Sequence, residues 1–331
     1  MLTNTQASEK KLKKPVINKQ TLSTLPRLVI LILIGVGLSF LSPYFLVMSN
    51  LLNILYMASV PIILAIAQTF VVLTGNIDLS LGAIFSIGGV VTAALMHFLE
   101  VPMGLAVIAG LLTGGVMGFL NGLLVAKLKL PSFIGTYGLR VATTGIAVAI
   151  MQGYVVYGFP ESFRVFGVGR FYNIPVPIFI TIFAFFIAWF LLKRTTLGRK
   201  IYALGANPEA TRLSGIKVDK MLILVFMIAG VFAALAGIVQ ISRVNSSHAF
   251  LGDALLLPAI AAVVIGGTSM FGGVGGVFGT VVGALIMSLI SNGLTLLGAP
   301  SIIQQFINGL IILIAIVIDQ SFSQVTSDKT R

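Results

Sequence analysis

Long, nearly uninterrupted apolar stretches dominate this chain, as in 28–45 and 254–265. Strands of a membrane barrel would alternate polar and apolar positions, and these do not. In hydrocarbon only helices and closed barrels satisfy every backbone N–H and C=O, so the pattern predicts membrane helices. One span needs about 20 apolar residues, which turns the distance between charged positions into a ruler. The charge-free interval 28–77 holds two spans, split near Ser42-Pro43 and Ser49-Asn50, where proline and small polar residues favour a turn. The intervals 79–99, 101–126, 131–152, 171–192 and 221–242 hold one each, the third of them enclosing Arg140. Three more fit in 254–318, divided by the glycine cluster 272–276 and by Gly298-Ala299-Pro300. The expected fold is an all-α integral membrane protein of about ten transmembrane helices.

The side on which each loop lies follows from its charge. If both termini are cytoplasmic, almost every Lys and Arg falls on the inner side; only Arg164, Arg170 and Arg243 face outward, and Arg140 lies within a span. That is the bias of membrane proteins toward basic inner loops. The chain then divides into a flexible basic cytoplasmic tail over 1–26, a membrane domain over 27–319 with a cytoplasmic loop at 193–220, and a cytoplasmic tail over 320–331. The apolar run after Arg27 is too long for a signal peptide and lacks a small-x-small cleavage site, so it reads as a retained first span.

Composition narrows the chemistry. The chain has 57% hydrophobic and 9% charged residues and a mean hydropathy of +1.08, values outside the range of ordinary water-soluble domains. Its formal charge of +12 sits in the inner loops, which explains it without a nucleic-acid partner. With no cysteine there is no disulfide, thiolate metal site or cysteine nucleophile. Neither G-x-x-x-x-G-K-[ST] nor H-E-x-x-H occurs, and His97 and His248 are far apart, so the sequence offers no catalytic residue, no metal site and no ATP site of its own. The nine acidic residues are scattered rather than clustered at one face, which argues against a membrane enzyme acting on lipid-linked substrates.

Ionisable residues inside a span usually face protein or water. Asp78 and Arg140 are the two candidates. Asp78 follows Gly75-Asn76 at the start of the third span, where a carboxylate caps free N–H groups; substrate contact is the other reading. Arg140 lies about 14 Å into its helix at 1.5 Å per residue, and either satisfies loop carbonyls or lines a pathway. Asn121, Thr136 and Asn292 complete the pathway candidates, each with an interhelical hydrogen bond as the alternative. A carrier driven by protons or sodium needs more such groups than this, so the scarcity favours an external energy source. Glycines within spans, such as Gly110, Gly114, Gly118 and Gly122, serve close helix packing or a gated pathway. Segments 73–96 and 265–287 echo one another faintly, each opening a small-residue helix with a glycine turn, and a four-span inverted repeat is one reading.

In the loop 193–220, Asn207 suits an N-cap, Pro208 the first helical position, Glu209 the positive end, Arg212 the negative end and Gly215 the stop. The spacing predicts a short helix over 208–214, which needs bracing by neighbouring structure or a partner.

The segment GRKIYALGANPEATRLSGI, together with IDLSLG, PSFIGTYG and AIAAVVIGGTSMFGG, resembles the permease subunits of bacterial ABC sugar importers, nearest the ribose type, over about residues 46–319. Asn76 and the run Val141-Ala142-Thr143-Thr144-Gly145 depart from the usual family pattern. The resemblance implies a multi-pass protein of the bacterial cytoplasmic membrane that pairs with a second permease copy or homologue. It implies ATP-binding cassette subunits, which carry the ATP and Mg, and an extracytoplasmic sugar-binding protein. It also maps coupling to the ATPase onto Asn207, Pro208, Glu209, Ala210, Thr211, Arg212 and Gly215. A ten-helix ion-coupled metabolite carrier and a branched-chain amino acid permease of the same transporter class are the rival readings.

Overall fold

The computed structural model describes the backbone of residues 19–328. Each expected span corresponds to one helix: α1 (Lys19–Leu41), α2 (Met48–Val72), α3 (Leu81–Phe98), α4 (Met103–Ala126), α5 (Ser132–Met151), α7 (Val176–Arg194), α10 (Val218–Val244), α11 (Asp253–Ile265), α12 (Val277–Leu296) and α13 (Ser301–Asp328). Among the described residues, seven of these are long and apolar enough to cross a membrane, namely α2, α3, α4, α5, α7, α10 and α12. The apolar part of α1 and all 13 residues of α11 are shorter. At 1.5 Å per residue α11 reaches only about 20 Å, less than the hydrocarbon thickness.

Both expected tail boundaries shift. Helix α1 begins at Lys19, inside the segment read as a flexible tail, and α13 continues past residue 319 to Asp328. Positions 1–18 and 329–331 of the two tails lie outside the described residues.

Helices α2 and α10 form the centre, with α3, α4, α11 and α12 packed around them. Most of their residues are buried against neighbouring helices, and the exposed ones, such as Leu55 and Met57 of α2 or Leu224 and Val231 of α10, are apolar as well. The tightest seam joins α4 to α10. Gly114 and Gly230 oppose one another there, and a Cβ on either would run into the other's carbonyl oxygen. Close backbone approach lets dispersion forces hold two helices that gain nothing from the hydrophobic effect in lipid. Packing therefore accounts for these α4 glycines. Helix α12 lies against α2 and is tied to it near both ends. Asn50 and Asn292 exchange amide hydrogen bonds of 3.2 and 2.9 Å at one end, and the hydroxyls of Thr69 and Thr280 meet at 2.7 Å at the other.

At one end of the bundle short elements form a cap: β1 (Val156–Tyr157), α6 (Glu161–Val168), β2 (Arg170–Phe171), β3 (Ile174–Pro175) and β4 (Ser246–Ser247). Strand β1 pairs antiparallel with β4, and β2 with β3. Phe163 of α6 is buried, and its carbonyl accepts a 2.7 Å bond from the Ser242 hydroxyl. Arg243, expected in a loop, instead ends α10, where its guanidinium lies over the Tyr56 ring and donates to the Tyr56 carbonyl. At the opposite end, the region expected to be a loop with one short helix contains two: α8 (Thr196–Ala206) and α9 (Pro208–Leu213).

Candidate functional site

Between α2 and α3 the chain leaves helical geometry from Leu73 to Ser80 while staying largely buried. Backbone N–H groups in such a place need partners from the protein. Side chains supply them. Ser132 accepts from the Ile77 N–H at 3.2 Å, Thr136 from the Leu79 N–H at 2.9 Å, and Asp78 from the Ser80 N–H at 2.7 Å. The other contacts of the Asp78 carboxylate are the Ser80 hydroxyl at 2.7 Å and the Asn121 amide at 3.1 Å; that amide also donates to Ser80 Oγ at 2.6 Å. Asp78, Asn121 and Thr136 are thus brought together, all fully buried, around one irregular joint. Their visible work is to hold the joint.

A second irregular joint, 266–276, separates α11 from α12, and the two joints touch. The Gly273 N–H donates to the Leu73 carbonyl at 2.9 Å. The segments that echo one another in sequence therefore meet in space. The echo pairs α3 with α12, however, which is not the register of the proposed four-span repeat.

Helix α8 presses on this meeting point. Thr195 caps its start by accepting from the Gly198 N–H, while Ile201 and Leu204 turn inward. Tyr202 donates from its hydroxyl to the Gly275 carbonyl at 2.9 Å. Burial pushes that phenol up to about 12, so it remains a protonated donor throughout the physiological range. Gly205 lies against both Leu73 and Gly273; a Cβ there would run into the Leu73 carbonyl oxygen and the Gly273 nitrogen.

Helix α9 follows directly. Asn207 Oδ1 accepts from the Ala210 N–H at 2.9 Å, Pro208 occupies the first turn, and Gly215, at φ +80°, lets the chain turn after Ser214. The helix ends at Leu213, one residue short of the expected 208–214. Thr211 is buried, its hydroxyl donating to the Asn207 carbonyl. Glu209 and Arg212 form an exposed i,i+3 pair at 3.5 Å, and Leu213 is 81% exposed. Removing the cap with Asn207→Ala should destabilise α9 by about 1 kcal/mol. Hydrogen exchange at the Ala210 amide checks this and should accelerate while α8 amides stay protected.

The remaining two pathway candidates lie elsewhere. Asn292 is committed to Asn50. Arg140, in the middle of α5, forms an ion pair with Asp253 at 3.2 Å, so its partner is a carboxylate and not the loop carbonyls that were one of its two expected readings.

Residues 50–316 match the model of a family described as the branched-chain amino acid transport system / permease component. The chain belongs to this permease family. Among the permease's relatives is the ribose import permease protein of Escherichia coli, 42% identical over 88% of this chain and 91% of the relative. The ribose import permease protein of Bacillus subtilis is 40% identical over 88% and 91%. The D-allose transport system permease protein of Escherichia coli is 40% identical over 86% and 87%. No solved structure matches the chain.

Three parts of the permease escaped the sequence reading. Ser80 and Ser132 carry no signal beyond their hydroxyls. Asp253 served only as the border of a charge-free interval, which hid its own place among the helices. Helix α8 did leave a trace, since Leu197, Ile201 and Leu204 follow a helical spacing beside Gly198 and Gly205.

Proposed function

We propose that this chain is the membrane-spanning permease subunit of an ATP-driven bacterial importer that translocates a monosaccharide, ribose or a related sugar. It spans the cytoplasmic membrane about ten times with both termini inside, pairs with a second permease copy or homologue, and receives sugar from an extracytoplasmic binding protein. ATP and Mg belong to separate ATP-binding subunits. The family description names branched-chain amino acids, but relatives matched along nearly their whole length carry sugar names, which supports a monosaccharide.

One observation carries the reading: α9 stands out from one end of the bundle with its charged pair exposed, while the adjoining α8 is fixed to both irregular joints. A push on α9 by closing ATPase subunits reaches the two places where the helical backbone is already broken. Packed helices answer such a push by switching between discrete arrangements, the basis of alternating access.

The test is co-reconstitution with the ATP-binding subunits and binding protein. In the double variant Glu209→Ala and Arg212→Ala, sugar-stimulated ATP hydrolysis and uptake should fall about tenfold, the loss of roughly 1.4 kcal/mol of docking, with the membrane protein still assembled. Unchanged hydrolysis and uptake count against the placement. Concentrative uptake by the lone chain, driven by an ion gradient, would sink the proposal altogether.

A further inference from the structure

The Arg140–Asp253 ion pair is unexplained by the coupling apparatus. Arg140 is near the midpoint of the 20-residue α5, and Asp253 opens the 13-residue α11. The start of α11 is placed in depth by α3, because the Gly252 N–H donates to the Ser86 hydroxyl at 2.9 Å, within α3 rather than at its end. Both rulers put the pair inside the hydrocarbon layer. Yet the two side chains are 30% and 34% exposed. Charges at this depth are very costly against lipid, so their open side faces water or a polar ligand.

Their neighbours suit one class of ligand. The Arg140 guanidinium is 5.9 Å from the centre of the Tyr137 ring, and Tyr137 is exposed. Phe250, whose carbonyl accepts the Asp253 N–H, is exposed as well. A monosaccharide presents hydroxyls that donate to a carboxylate and accept from a guanidinium, and C–H faces that rest on aromatic rings. Because Arg140 and Asp253 already neutralise one another, the site has no net charge to hold an ion. A sugar must share them with their existing bond, which keeps binding weak enough to release, as a conduction site requires.

We propose that Arg140 and Asp253, with Tyr137 and Phe250 beside them, form a sugar-binding site partway along the pathway. This rests on the importer reading above.

The chain has no cysteine, so single thiols can be read without background. In the assembled importer, Ala254→Cys, next to Asp253 and exposed, should react with a charged, membrane-impermeant thiol reagent, and D-ribose or D-allose should slow that reaction. Ile182→Cys, on the exposed apolar face of α7, should not react. No labelling at position 254, or labelling that neither sugar slows, overturns the site.

Uptake supplies the second readout. Asp253→Asn should lower the uptake rate about tenfold or more, the worth of one charge-assisted hydrogen bond, in an importer that still assembles. The exchange variant Arg140→Asp with Asp253→Arg restores a pair but reverses donor and acceptor. The assembled exchange variant should remain defective in uptake; full recovery for both sugars would make the pair purely structural and overturn the proposal. A wild-type importer that moves neither sugar but moves branched-chain amino acids would defeat the monosaccharide reading and this one together. Normal sugar uptake in Asp253→Asn would defeat this one alone.

Discussion

Replacing Gly205 with valine should abolish uptake and lower the thermal stability of the purified permease. The new side chain has no space: its Cβ alone would run into the Leu73 carbonyl and the Gly273 nitrogen, both backbone atoms that cannot swing aside as a side-chain tip would. Overpacking of this kind costs about 1–3 kcal/mol. It also forces α8 away from both joints, so the proposed route from α9 is lost even in molecules that stay folded. Thermal unfolding followed by uptake in vesicles separates the two effects. Gly104→Ala is the matched control, since a Cβ there meets nothing within 4 Å and a helical alanine should be neutral or mildly stabilising. Equal behaviour of the two variants would remove α8 from the coupling route.

The second large effect is expected for Asn121→Leu. Leucine keeps the branched skeleton of asparagine, with bulkier methyl groups, while the polar partner disappears. The Asp78 carboxylate loses one of its donors and Ser80 Oγ loses its 2.6 Å contact, all at full burial. Losing a hydrogen bond to a charged group costs about 1.5–3 kcal/mol. The joint between α2 and α3 should loosen, read as a lower melting temperature and faster exchange at the Ile77 and Leu79 amides. Combining Asn121→Leu with Asp78→Asn should cost less than the sum of the two single changes, as coupled neighbours do. Strict additivity would mean that the two side chains do not act through one another.

The helices were legible because lipid imposes one rule on them: charge must stay out for about 20 residues at a time. Thus 79–99 and 101–126 each enclose their helix closely, and 131–152 does so with Arg140 as its one charge. The same rule is blind where the chain obeys membrane depth without being helical. Leu73 to Ser80 and 266–276 look like ordinary glycine turns in sequence, and only their partners, Ser132, Thr136 and Asp78 in one case and α8 in the other, reveal that they are braced joints. Asn207, Pro208 and Gly215 announced α9 because capping chemistry is local and leaves its residues side by side. The pairing of Arg140 with Asp253 is remote in sequence, and no local pattern carries it. Asn292 was legible as a polar residue in a span, but its choice of Asn50 over an open pathway depends on how α12 lies against α2.

The two latches between α2 and α12 bear on where the molecule bends. The amides of Asn50 and Asn292 fix one extremity and the hydroxyls of Thr69 and Thr280 the other, so neither helix slides or swivels past its neighbour without breaking both. The pair behaves as a single stiff lever. Whatever rearrangement admits and releases cargo must then be concentrated at the elbows on either side of it, and spectroscopic labels placed along the lever should keep a constant separation through the whole working cycle.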